Sequence, residues 1–276
     1  MRGAMSLTAE KRAELRRLHE AGCFVMPNCF DVGSARLIQA LGFKATASSS
    51  AGFAWTIGKS DNHITLDDIL GHLSAVCAAT DIPVNADFEN GFSEAPEGVA
   101  INVARAAATG VAGLSIEDHH ETAGPVYDKA LSMERIRAAR ASLDSSAPDV
   151  ILVGRAEGLL GARMGVSEVI DRLVAFAEAG ADVLFGPGLR DPADIAAAVR
   201  AVAPKPLSII AVPALSLRQV ADLGVRRISV GSGLARVAYG AVIDAARQMA
   251  DGSFAAMTGG ASGKSMNDLF ATGRLE

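Results

Sequence analysis

Val150-Ile151-Leu152-Val153-Gly154-Arg155 is an apolar, largely β-branched run that ends on a glycine and a charge. A strand apolar along its whole length has both faces covered, as in a parallel sheet packed by helices, whereas a half-exposed antiparallel strand alternates. Working outward from it, runs of the same kind recur at Cys23–Cys29, Lys44–Ser48, Pro83–Phe88 and Ala112–Glu117 on one side. On the other side they recur at Asp182–Phe185, Pro206–Ala211 and Arg227–Val230. Each is followed by turn residues and an Ala-rich helical pattern. Eight strand-helix units in order predict an α/β fold, a (β/α)8 TIM-type barrel.

The punctuation agrees with that rhythm. Asp31 stands where an N-cap is needed, Thr65 with Asp68 approximates a capping box, and Asp191-Pro192 sets a capping acid before a proline at the first helical position. Gly22, Gly42, Gly110, Gly180 and Gly224 fall where helices end and strands begin. We read residues 1–276 as one barrel domain, with the barrel at about 22–250, a charged N-terminal helix at 8–21 and a tail at 251–276. The tail holds a flexible Thr258-Gly259-Gly260-Ala261-Ser262-Gly263 stretch and then a short amphipathic helix near Met266–Phe270, expected to dock on a partner subunit.

Composition narrows the classes of function. The 26 Lys and Arg against 31 Asp and Glu leave a net charge of −5 with no basic block, which argues against nucleic acid. No apolar run reaches the ~18 residues of a membrane span, and Met1–Gly22 is charged rather than signal-like. The expected location is the cytoplasm. Cys23, Cys29 and Cys77 form no CxxC pair and read as reduced thiols.

Chemistry in such a barrel belongs at the C-terminal ends of the strands. There the sequence places Ser48-Ser49-Ser50, Asp87-Phe88-Glu89, Glu117-Asp118 and Arg155-Ala156-Glu157. Asp87 and Glu89 are two apart, so on an extended strand they face the same side, within reach of Glu117 from the next strand. Three clustered carboxylates repel unless a cation sits among them, and an oxygen-only set favours Mg²⁺ or Mn²⁺ over zinc. Ordinary caps and solvated loop acids are the plain alternative. Arg155 suits a substrate carboxylate or phosphate, or else an ion pair with Glu157 or Glu117. Ser48, Ser49 and Ser50 offer hydroxyls and backbone N–H groups to an anion, or form a polar turn. His119 and His120 are acid-base candidates or exposed loop residues. Gly231-Ser232-Gly233 reads as a phosphate-binding turn or simply a tight one.

In this order, these residues resemble the isocitrate lyase and phosphoenolpyruvate mutase superfamily. The resemblance runs from about Phe24 to Met249. It rests on the serine turn with Gly58-Lys59-Ser60-Asp61, on Asp87-Phe88-Glu89-Asn90-Gly91-Phe92, and on Gly113-Leu114-Ser115-Ile116-Glu117-Asp118. Ala179-Gly180-Ala181-Asp182 and Leu223–Ser232 add to it. The resemblance implies a modified barrel using Mg²⁺, with Asp87 as principal ligand and Glu89 and Glu117 acting largely through waters. It implies that Asp61 completes the polar shell, that Ser48 and the backbone of Ser49 and Ser50 hold a substrate carboxylate or enolate oxygen, and that Arg155 contacts the reacting group. The implied activity is carbon-carbon cleavage of a small 2-oxo or 2-hydroxy (di)carboxylic acid through a pyruvate-type enolate, with His119, His120 or Tyr127 moving the proton. A homo-oligomer, dimer or tetramer, is implied as well, and the loop over 118–130 is long enough to close over the mouth as a lid.

Departures from the family pattern bear on the reaction. The loop after the fourth strand, His119-His120-Glu121-Thr122-Ala123-Gly124, lacks the acid-base cysteine segment of isocitrate-type lyases. Gly186-Pro187-Gly188 carries no carboxylate where some lyases have Glu, and Ser115 replaces a histidine. A phosphonomutase, a metal-free phosphate-binding barrel and a non-catalytic metabolite-binding barrel are the alternatives.

Overall fold

The structure, a computed structural model, describes residues 3–119, 125–161 and 163–274. Nine strands appear among them: β1 (Phe24–Val25), β2 (Asn28–Cys29), β3 (Thr46–Ser48), β4 (Val84–Asp87), β5 (Gly113–Glu117), β6 (Ile151–Arg155), β7 (Val183–Phe185), β8 (Leu207–Ile210) and β9 (Arg227–Ser229). All pair in parallel in the order β1-β9-β8-β7-β6-β5-β4-β3-β2. The eight predicted runs are all present, and the ninth strand arises because the first run is split at Met26-Pro27. Proline has no N–H to give a ladder. The run still bonds on both sides, Met26 N to Ile228 O at 2.8 Å and Ala47 N to Pro27 O at 3.0 Å, so β1 and β2 together close the ring as one stave.

The caps fall as expected. Asp31 accepts from Ser34 N while Ser34 Oγ accepts from Asp31 N, and Thr65 and Asp68 form the same reciprocal pair. Gly224 shows why the helix-to-strand glycines are needed: its φ is +92° and a Cβ there would come within 2.8 Å of Val199 Cγ1. A side chain would meet backbone strain and a clash together.

The N-terminal helix runs Gly3–Leu18 rather than 8–21 and seals the N-terminal end of the barrel. Its Leu15 is fully buried among Met26, Ala45, Ala112, Ile151 and Val153, the inner apolar layer. Lys11 and Arg12 reach carbonyls at the ends of neighbouring helices, Cys77 O at 2.9 Å and Ala107 O at 2.9 Å, where cations are favoured. The larger core lies between strands and outer helices. Chemistry is thereby confined to the opposite, C-terminal mouth.

The C-terminal extension is helical at Gly263–Thr272. It packs on its own chain. Leu269 is buried, and Arg36 donates to Phe270 O at 2.7 Å while lying 5.4 Å from the Phe270 ring. No helix of the described residues is long and apolar enough to cross a membrane. All three cysteines are free thiols, and burial pushes Cys29 up to about 12.

Candidate active site

A cavity of about 200 Å³ opens at the C-terminal mouth, lined on its upper wall by Ser48, Ser50, Asp61, Asp87 and Arg155. Arg155 ends β6, and Glu117 is its register partner on β5. Its Nη1 lies 2.9 Å from Asp87 Oδ1 and 3.2 Å from Glu117 Oε2, its Nε donates to Glu157, and the Phe185 ring lies 5.3 Å from its guanidinium carbon. Burial opposes this charge, but Glu157, Glu117 and Asp87 overcome it and hold the pKa above its ordinary value. Both readings of Arg155 meet here: it is ion-paired, and it faces the cavity.

The serine turn orients Asp87. Ser48 Oγ accepts from Asp87 N at 2.8 Å, while Ser50 N and Oγ both donate to Asp87 Oδ2, at 2.9 and 2.8 Å. Ser49 N is committed to Cys29 O, and its Oγ caps Gly52 N. The expected free row of N–H groups is therefore occupied. Two of the three serines position a carboxylate, because the turn begins the Ser50–Thr56 helix directly beside the end of β4.

Glu89 does not follow the strand alternation expected of it. β4 stops at Asp87, and Glu89 sits beyond it with φ at +44°, so strand periodicity no longer sets its direction. It lines an adjoining recess with Asn62, Asn90 and Tyr127. Its Oε1 is buried without a hydrogen-bond partner, and burial, then Asp87 and Asp61, push its pKa up to about 8. Burial also raises Glu117 well above the carboxylate range, with Glu157, Asp87 and Glu89 adding to it, and raises Asp61 with Asp87 next in order. Asp61 and Glu117 share a second recess with His119, which is buried rather than exposed on a loop. His120 and the rest of 120–124, five residues of the expected lid over 118–130, lie outside the described residues. Tyr127 Oη accepts from Asn90 at 3.0 Å, and its ring lies under Arg135.

The donor set fits a hard divalent cation. Asp61, Asp87, Glu89, Glu117 and Glu157 crowd about the Arg155 guanidinium, Arg163 lines the recess that Asp61, Glu117 and Glu157 share, and Glu89 keeps one orphaned carboxylate oxygen. Among the described residues no three such side chains cage an ion directly. The donors are carboxylate oxygens, the ligand type of Mg²⁺.

Sequence reading missed the rest of the wall. Asn28, Asn85, Ser115, Arg227 and Ser229 also line this cavity. Asn85 was available from spacing, two residues before Asp87 on one strand face. Asp118, next to Glu117 in sequence, has a role that only its contacts show. It accepts from Glu157 N at 2.8 Å and from Arg172 at 3.0 Å, and so holds the loop that carries Glu157.

The family model for phosphoenolpyruvate phosphomutase matches residues 15–250. A crystal structure of a Burkholderia cenocepacia J2315 protein assigned only to the lyase/mutase class is similar at 41% identity and a TM-score of 0.93, covering 98% of this chain and 99% of that one. Oxaloacetate acetylhydrolase in complex with its product oxalate is similar at 27% identity and a TM-score of 0.86, over 96% of this chain and 95% of that one. The 2-methylisocitrate lyase of Escherichia coli (strain K12) is 30% identical over 191 residues, 66% of this chain and 63% of its own. The chain thus belongs to the phosphoenolpyruvate mutase and isocitrate lyase superfamily, whose members are enzymes, both lyases and mutases.

Proposed function

We propose that this chain is a Mg²⁺-dependent lyase that cleaves a carbon-carbon bond of a small 2-oxo or 2-hydroxy (di)carboxylic acid through a pyruvate-type enolate. The observation that carries the reading is the crowding of Asp61, Asp87, Glu89 and Glu117 around Arg155 at the wall of a cavity sized for a small acid. Asp87 would be the direct metal ligand, oriented by Ser48 and Ser50, with Glu89 and Glu117 acting through waters. Bound there, Mg²⁺ would supply positive charge against the oxygen on which charge develops. Arg155 would bind the substrate carboxylate with the Nη hydrogens that Asp87 and Glu117 leave free, and Ser50 and Asp61 would border it. With a 2-oxo diacid, loss of the distal carboxylate as CO2 would leave the electron pair on the pyruvate-type fragment, and His119, in the recess beside Glu117, would give its proton to that carbon; with a 2-hydroxy acid, His119 would take the hydroxyl proton as C2 becomes a carbonyl and give it to the departing carbon, which keeps the pair of the broken bond.

The test is calorimetric titration with oxalate, a planar enolate mimic, with Mg²⁺ present and with it chelated. Binding that needs Mg²⁺ and disappears in Asp87→Ala is expected; no binding under either condition overturns the reading. A substrate panel then separates cleavage of malate-like acids from conversion of phosphonopyruvate, the mutase outcome. We also propose a homo-oligomer. The Gly233–Ala250 helix buries only Ala235 and exposes Val237, Val242 and Ile243. A second copy of this face would cover them, and a monomer by analytical ultracentrifugation overturns that.

A further inference from the structure

One layer beneath Asp87, a second guanidinium lies inside the barrel without a counter-charge. Arg227 is 2% exposed. Its Nε donates to Ser208 Oγ at 2.9 Å and its Nη1 to Asn85 Oδ1 at 3.3 Å, both neutral partners. None of the described carboxylates pairs with it, and burial alone pushes its pKa down to about 9. From below it faces His19, whose imidazole is kept neutral at ordinary pH, its pKa pushed down to about 3 by burial and then by Arg227.

The placement is built rather than incidental. Asn85 reaches Arg227 because the facing position on β5 is glycine: a Cβ on Gly113 would come within 2.7 Å of Asn85 Oδ1. The guanidinium lines the same cavity whose upper wall holds Asp87 and Arg155, and Ser115 and Ser229 border it there. A buried unpaired charge costs several kcal/mol, so a cation held this way in a polar cavity calls for an anion.

We propose that the floor of this cavity is a second anion subsite, in which Arg227, fixed by Ser208 and Asn85, takes one small singly charged group, a halide ion or the carboxylate of a bound acid. The subsite does not rest on the metal reading above, since its residues touch none of the proposed ligands' carboxylates.

The experiment uses the full chain, metal-free, in halide-free buffer. Thermal unfolding is followed against bromide and, separately, against L-malate, and crystals grown in bromide are measured at the bromine edge. A saturable rise of roughly 5 °C at a hundredfold excess over Kd is expected. It should be absent in Arg227→Met, and bromide should sit against the Arg227 guanidinium. Bromide acting alone identifies an inorganic anion; malate acting where bromide does not identifies a ligand's carboxylate. Neither acting, a rise that persists in Arg227→Met, or a bromide peak at Arg227 with no saturable response in solution overturns the proposal. Should Arg227→Met not fold, the wild-type peak together with its saturation curve decides.

Discussion

Arg155 and Arg227 stand in one barrel, the first half-buried and the second buried, and their surroundings differ in sign. Arg155, at the end of β6, is drawn into contact with Asp87, Glu117 and Glu157, and the acids outnumber it. Arg227, one layer lower, has a serine, an asparagine and a neutral histidine about it. The upper layer therefore lacks positive charge and the lower layer lacks negative charge. A single cavity joins them, so a bound acid together with a cation would settle both. Burial costs either arginine alike; the partners decide whether its charge is a structural tie or a vacancy for a ligand.

The sharpest way to break the comparison is to remove each cation. Arg155→Met leaves buried carboxylates without a partner and should destabilise the metal-free chain by about 3–5 kcal/mol. Arg227→Met removes an uncompensated charge and should leave stability within about 1 kcal/mol, or raise it, in anion-free buffer. Denaturant midpoints measure both, and equal losses would mean that the two layers do not differ. Next in size, Asp87→Asn can keep the Ser50 contacts but removes the charge and the acceptor facing Arg155, and should lower kcat/KM by about 10²–10³-fold. A loss seen only in KM would remove Asp87 from the chemistry.

A smaller effect is expected at Gly113. Gly113→Ala pushes Asn85 off Arg227 and should cost about 1–3 kcal/mol by crowding, with a weaker bromide response if the floor binds anions. Smallest is the acid limb of the stability profile. Burial pushes His19 down to about 3 and His72 down to about 4 in the folded chain, against 6.5 when free. Between those values the unfolded chain takes up protons that the folded chain refuses, so stability falls as pH drops below about 6.5, by about 1 kcal/mol per histidine in the first unit. In Arg227→Met the His19 pKa should rise, as nuclear magnetic resonance of the imidazole would show.

Much of the fold was legible because its signals are local. Strand patterning, the reciprocal caps at Asp31 and Thr65, and glycine at the helix-to-strand turns each follow from a few neighbouring residues. The acids at the strand ends were legible for the same reason: barrel topology sends every strand end to one mouth. Glu89 escaped that logic because the chain leaves the strand after Asp87, and two-residue alternation holds only while the backbone stays extended. The serine turn was legible as a turn, but not its hydrogen bonds to a carboxylate 37 residues onward.

From the order of its residues alone, this chain determined an eight-unit parallel barrel, a polar C-terminal mouth and a family resemblance. Only the tertiary structure decided that Arg155 draws in acids from three different segments, that proline divides the first stave, and that Arg227 is left without an acid beside Asn85, 142 residues away in sequence. The reason is physical. Backbone preferences are set within a few residues of sequence. The partners of a buried charge are set by which side chains the closed ring brings within a few ångströms, and burial makes those partners govern its charge.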